Sequence, residues 1–175
     1  MHKFDIMEKK SVESKKTIFL IRHAKSCWEN NLDDFDRPIK KRGVNDANLV
    51  SKALINKDIC PEIILCSAAN RTRLTAEIFV KNLGLEQVEI NYLKELYDFS
   101  GESLLQVIKQ IDNNIDKVML FGHNYALTNF VNKFGDSIIE NVTTSGFVKI
   151  IFNGKSWKNI AQGQTKQIVF PKHLK

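Results

Sequence analysis

"TIFLIRH", residues 17–23, is the stretch on which the fold turns. Thr17–Ile21 is a continuous apolar run rich in β-branched residues, and it reads as a strand buried on both faces. Arg22 and His23 follow at once. A strand covered on both sides implies helices above and below a mostly parallel sheet. In such sheets ligands bind beyond the carboxyl ends of the strands. The two polar residues therefore stand where a site is expected.

The same pattern recurs along the chain. Glu62–Leu65 (EIIL) and Lys117–Phe121 (KVMLF) read as two more buried strands, and Val88–Ile90 as a short fourth. Helical spacing marks Asn45–Ile55, with Ala47, Val50 and Leu54 on one face, and Thr72–Leu83, which Gly84 terminates. It also marks Ser103–Ile111 and Leu127–Phe134. Phe147–Phe152 and Ser156–Ala161 read as a late hairpin around Asn153-Gly154, a strong turn dipeptide. Alternating strands and helices predict an α/β fold, a three-layer αβα sandwich with a mostly parallel central sheet. The expected organisation is a flexible basic arm over residues 1–15 and one domain over 16–175.

The totals narrow the functional classes. The 175 residues are 43% hydrophobic, enough for a full core. No window reaches the roughly 18 apolar residues of a membrane span, and the N-terminus lacks the apolar stretch of a secretory signal. No membrane association is expected. Cys27, Cys60 and Cys66 are odd in number and unrelated in spacing, which argues against a disulfide framework or a zinc site. Reduced thiols fit a cytoplasmic protein. The net charge of +6 falls partly on the tails, with no basic stripe interleaved with aromatics, so no nucleic-acid partner is expected. Part of the excess is expected to line an anion pocket. No cofactor and no metal are required, and the sequence leaves the oligomeric state open.

Three strands end in polar groups. Arg22-His23 follows the first, Ser67-Ala-Ala-Asn-Arg71 the second, and Gly122-His123-Asn124 the third. Of the four histidines, His2 and His173 lie in the tails; the other two stand at strand exits. Any one of these residues alone is readily explained as a cap or a salt-bridge partner. The exits of a parallel sheet share one edge, so the coincidence is spatial. Two guanidiniums at one small site suit a phosphoryl group, whose oxygens match the arginine fork. Neighbouring cations depress the pKa of a histidine and keep a nitrogen lone pair free. The other ring nitrogen is then expected to be fixed by a hydrogen bond, with a backbone carbonyl as the natural acceptor.

Arg22-His23-Ala24 resembles the Arg-His-Gly signature of the histidine phosphatase superfamily, the branch-1 or phosphoglycerate-mutase-like fold. Ser67-x-x-x-Arg71-x-x-x-Thr75-Ala76 resembles its second motif and Gly122-His123-Asn124 its third. "RHAKSCWENNLDDFDRPIKKRGVNDA" and "FGHNYALTNFV" look like SixA-type phosphohistidine phosphatases, with Asp36-Arg37-Pro38-Ile39 and Arg42-Gly43 the most telling pieces. The resemblance runs from about Thr17 to Ala161. It implies that His23 is the phosphorylated nucleophile and that Arg22, Arg71 and His123 bind the phosphoryl group, with Ser26 and Asn124 as pocket contacts. A local cap or turn is the competing role for these last two.

Two departures from the family pattern matter. Ala24 replaces the usual glycine. The general acid is undefined: Glu95 falls near the position where larger members carry a glutamate, with Asp98 close by, and a surface carboxylate opening a loop is the competing account of Glu95. Arg37 is expected to lock its own loop by pairing with Asp36 or Asp34, with contact to the substrate as its competing role, and Trp28 and Phe35 to pack that loop rather than stack on a substrate. The resemblance implies a metal-independent phosphohistidine phosphatase acting on a phosphorylated protein. Hydrolysis of a small phosphorylated metabolite and a non-catalytic phosphate-binding module on the same fold remain as alternatives. The short stretch between Leu83 and Ser103 leaves no room for a large cap and points to an open site.

Overall fold

The computed structural model describes residues 13–29 and 31–175. A six-stranded sheet forms its centre, built from β1 (Lys15–Arg22), β2 (Ile63–Ser67), β3 (Ile90–Leu93), β4 (Lys117–Gly122), β5 (Phe147–Asn153) and β6 (Gln164–Val169). The strand order is β3-β2-β4-β1-β5-β6. The β3-β2-β4-β1 part is parallel, and β5 and β6 add antiparallel pairs at one side. Helices α1 (Lys41–Ala53), α2 (Asn70–Leu83), α3 (Glu102–Lys109) and α4 (Ala126–Phe134) connect and cover the strands. The mostly parallel αβα architecture read from the sequence is the one observed. Most of the basic arm expected over residues 1–15 lies outside the described residues; Lys15, at its end, already pairs with Asn153 in the sheet.

Alternation along the strands divides the core in two. Ile18 and Leu20 of β1, Leu65 of β2, and Val118 and Leu120 of β4 pack with Leu104 and Ile108 of α3 and Leu127, Phe130 and Val131 of α4. Phe19 and Ile21, Ile64 and Cys66, and Met119 and Phe121 pack on the other face with Ala47 and Val50 of α1 and Ala76 and Phe79 of α2. Successive side chains point to opposite faces, so a continuous apolar run is what a strand with two covered faces requires. α2 ends at Gly84, in the left-handed region at φ 66°, where the Leu85 amide turns back to the Val80 carbonyl.

The late hairpin is corrected. The chain turns at Gly154 (φ 121°), but Ser156–Ala161 is not a strand. Trp157 there is fully buried and donates its indole N–H to the Ile115 carbonyl at 2.7 Å. The partner of β5 is instead Gln164–Val169, a polar edge strand whose alternation carries little apolar signal. α1 also begins four residues before the expected Asn45, because Gly43 inside it weakens the helical pattern. The short strand expected at Val88–Ile90 lies instead at Ile90–Leu93, as β3. No helix among the described residues is long and apolar enough to cross a membrane.

Candidate active site

Strand register brings the two motif histidines together. β1 and β4 are parallel neighbours in which Arg22 is the register partner of Gly122. His23 and His123 are each the next residue, and their ring centroids lie 5.2 Å apart. Arg71 enters from the first turn of α2, directly after β2, and is 1% exposed.

The surroundings define each ring's tautomer. His23 Nδ1 lies 2.8 Å from the carbonyl of Ala24, so it carries the proton and donates it. Nε2 is left with its lone pair. The Ala24 backbone is itself fixed, because its N–H donates to Thr75 Oγ1 at 2.8 Å. Burial pushes the His23 pKa well below the ordinary 6.5, and His123, Arg71 and Arg22 push the same way. His123 accepts from Arg71 Nη2 at Nδ1 (3.3 Å) and donates from Nε2 to Ser67 Oγ (2.7 Å). Burial and then the Arg71 charge bring its pKa down to about 3. Both imidazoles are neutral at ordinary pH.

An open pocket of about 280 Å³ lies at this strand edge, lined in part by Arg22, His23, Ser26, Asp34, Arg71 and Asn124. Arg22 is anchored from behind, donating from Nη1 to the Val142 carbonyl at 2.8 Å and to Asn141 Oδ1 at 3.2 Å. Asn124 donates to the same Asn141 oxygen, and its own Oδ1 accepts from Thr128 Oγ1 at 2.6 Å. Ser26 Oγ accepts from Arg37 Nη1 at 2.5 Å, and Arg37 also grips Asp34 Oδ1 through Nε (3.0 Å) and Nη2 (2.7 Å). Arg37 thus locks the loop after β1, with its guanidinium 3.5 Å from the centre of the exposed Trp28 ring.

Of the residues singled out in the sequence, Arg22, His23, Arg71, Ser26 and Asn124 line the pocket. His123 lies beneath it with no exposed surface, its two nitrogens engaged inside the protein. Glu95 is elsewhere: it is exposed and lines a separate groove with Gln106 of α3 and Gln110 just after that helix. Asp98 is committed to the start of α3, where its carboxylate accepts from the backbone N–H groups of Ser100, Gly101 and Leu104, each at 3.0 Å. Neither expected proton donor faces His23.

Two further contributors leave little sign in the sequence. Asn141, in the irregular stretch between α4 and β5, holds both Arg22 and Asn124. Asp34 does more than pair with Arg37: its backbone carbonyl accepts from Arg71 Nη1 at 2.5 Å, and its Oδ2 accepts from Arg71 Nη2 at 3.0 Å and from the Tyr97 hydroxyl. The Asp-x-x-Arg spacing of Asp34 and Arg37 was the one available signal.

The family model of the histidine phosphatase superfamily (branch 1) matches residues 18–127. An uncharacterised chloroplastic protein of Arabidopsis thaliana is 27% identical over 163 residues, covering 88% of this chain and 74% of that one. An uncharacterised protein of Mycobacterium tuberculosis is 28% identical over 103 residues, 59% of this chain and 62% of that protein, so the match spans under two thirds of the mycobacterial relative. A similar fold is found in the protein histidine phosphatase SixA complexed with tungstate, with a TM-score of 0.73 and 19% identity, covering 91% of this chain and 99% of that one.

Proposed function

This chain belongs to branch 1 of the histidine phosphatase superfamily, and we propose that it is a metal-independent phosphatase that hydrolyses phosphohistidine through a phosphorylated His23. The observation that carries the proposal is the state of His23. Its Nδ1 proton is tied to the Ala24 carbonyl, so Nε2 is a neutral nucleophile facing a pocket that arginines line.

The chemistry follows from these groups. The Nε2 lone pair attacks phosphorus, and the bond to the leaving atom breaks with its electron pair. Water then attacks the phospho-His23, the new P–N bond breaks, and inorganic phosphate departs. Arg22 and Arg71 stabilise charge on the equatorial oxygens throughout. Both guanidiniums line the pocket, and each has a buried Nε with no hydrogen-bond partner among the described residues. His123 acts from below. It stays neutral, orients Arg71 and abuts the nucleophile's ring.

The leaving group supports phosphohistidine over a phosphate ester. An alkoxide needs a proton as it departs, and a positioned acid contributes about 10²–10⁴ in rate. Among the described residues lining the pocket the one carboxyl is Asp34, which Tyr97, Arg37 and Arg71 hold well below the usual carboxylate range and therefore ionised. A phosphohistidine brings its own proton on the distal ring nitrogen and leaves as neutral imidazole. The pocket is open, which suits a phosphorylated side chain projecting from a partner protein.

The test is a substrate comparison. Turnover of a phosphohistidine-bearing protein domain is measured against a panel of small phosphate esters, with His23→Ala as control. Preference for the phosphohistidine domain is expected, abolished in the variant. Exclusive, efficient ester turnover selects the small-metabolite reading, and binding of phosphate without turnover of any substrate selects a non-catalytic module.

A further inference from the structure

Asp34 is an ionised carboxylate on the wall of a pocket that otherwise collects cations. It is not buried away: its side chain is 36% exposed, and it lines the same pocket as His23, Arg22 and Arg71. Three side chains hold it in place. Arg37 reaches Oδ1 through two nitrogens, Arg71 and Tyr97 reach Oδ2, and Arg71 also takes the backbone carbonyl.

For catching a phosphoryl dianion this charge is counterproductive. It offsets one of the three guanidiniums lining the pocket and repels the approaching oxyanion. Beyond holding Arg37 and Arg71, a fixed negative charge there helps the reaction where something in it is positive. The second wall feature points the same way. Phe99 also lines the pocket, half-exposed, and Tyr97 packs edge-on against it with ring centroids 5.1 Å apart. An aromatic ring and a fixed carboxylate lining one pocket are a pair of groups suited to a flat organic cation.

We propose that Asp34 is a specificity-determining residue that selects leaving groups carrying positive charge, favouring the protonated ring of a phosphohistidine over a neutral ester alcohol. The inference rests on the phosphatase reading above and names which residue would confer its preference. As the P–N bond of the substrate breaks, its electron pair passes to the substrate ring nitrogen, and the ring's positive charge is discharged. Asp34 stabilises the cationic form that makes this departure possible. It takes no proton, and it stays a carboxylate before and after the step.

Asp34→Asn keeps the size and removes the charge, and its NH2 group meets donors, either those of Arg37 or those of Arg71 and Tyr97. Wild type, Asp34→Asn and Asp34→Glu are each assayed for kcat/KM on a phosphohistidine peptide and on 4-nitrophenyl phosphate. Both activities are expected to fall in Asp34→Asn, because the amide holds Arg71 less firmly. The phosphohistidine activity should fall about 10-fold or more further than the ester activity. Asp34→Glu, which restores the charge, should keep the wild-type ratio whatever its absolute rates. Equal losses on both substrates in Asp34→Asn mean that Asp34 only positions Arg71, and they overturn the proposal. Equal gains mean that the carboxylate merely obstructs the arginines, and they overturn it too. A phosphohistidine peptide untouched by wild type removes the parent reading, whereas one turned over at an unchanged ratio removes the role of Asp34 alone.

Discussion

The ring of His123 sits 5.2 Å from that of His23, centroid to centroid, because their neighbours Gly122 and Arg22 are register partners in adjacent parallel strands. The sheet itself therefore sets the spacing of the two imidazoles. Side chains held by strand ends are positioned more tightly than those on free loops, which is what an in-line attack on phosphorus requires.

Arg71 is the cation most deeply built into the site, and removing it should be costly. Arg71→Ala is expected to lower kcat by about 10²–10³, the typical effect of deleting one transition-state donor. Steady-state kinetics on the preferred substrate checks this. Near-normal turnover would remove Arg71 from the chemistry.

Both site histidines should resist protonation. Ring resonances of His23 and His123 followed by NMR are expected to titrate well below 6.5, with His123 near pH 3. Since both folded-state values lie below the unfolded one, the unfolded chain binds more protons as pH falls beneath 6.5. Their contribution to stability is therefore present above 6.5 and is lost progressively toward the folded-state values. A midpoint close to 6.5 for either ring contradicts this account.

Glu95 and Asp98 should behave differently from each other and from an acid catalyst. Glu95→Gln is expected to leave turnover within about 2-fold of wild type, since the carboxyl lies outside the pocket. Asp98→Ala should cost about 1–2 kcal/mol of stability through loss of the cap on α3. Urea unfolding measures the second effect. A fall of 10² or more in Glu95→Gln turnover would restore Glu95 as the proton donor.

Gly43 connects helix packing to the site. A Cβ there would come within 2.4 Å of the Lys25 carbonyl oxygen, two residues beyond His23, and the contact is with backbone that cannot rotate away. Gly43→Ala should therefore destabilise by about 1–3 kcal/mol and reduce turnover as well, by shifting the segment that carries Ala24 and Ser26. Unfolding and kinetic measurements on the same variant show whether the two effects travel together.

What was legible in the sequence follows from where the physical signal is local. TIFLI and KVMLF announce two-sided burial by composition alone, and parallel strands with both faces covered place the residues after them on one edge. Arg22, His23, Arg71 and His123 all stand at or just beyond that edge in the sequence. Ser156–Ala161 misled because the buried Trp157 imitates a strand's apolar content while its ring packs into the core and its indole N–H bonds the Ile115 carbonyl. Asn141 was invisible because it lies in an irregular segment, where neither periodicity nor a turn signature marks a residue's partners. Asp34 was read as a local partner of Arg37, which it is; its grip on Arg71, 37 residues away, depends on how the loop folds back over α2.

The central claim is that His23 Nε2 forms a bond to phosphorus. The direct measurement is to quench the enzyme during turnover of a substrate carrying labelled phosphate, then to locate the label on the protein by mass spectrometry. An acid-labile, alkali-stable phosphate is expected on His23, forming and decaying at rates that match turnover and absent in His23→Ala. Full turnover by His23→Ala, or label on any other residue with His23 unmodified, would contradict it.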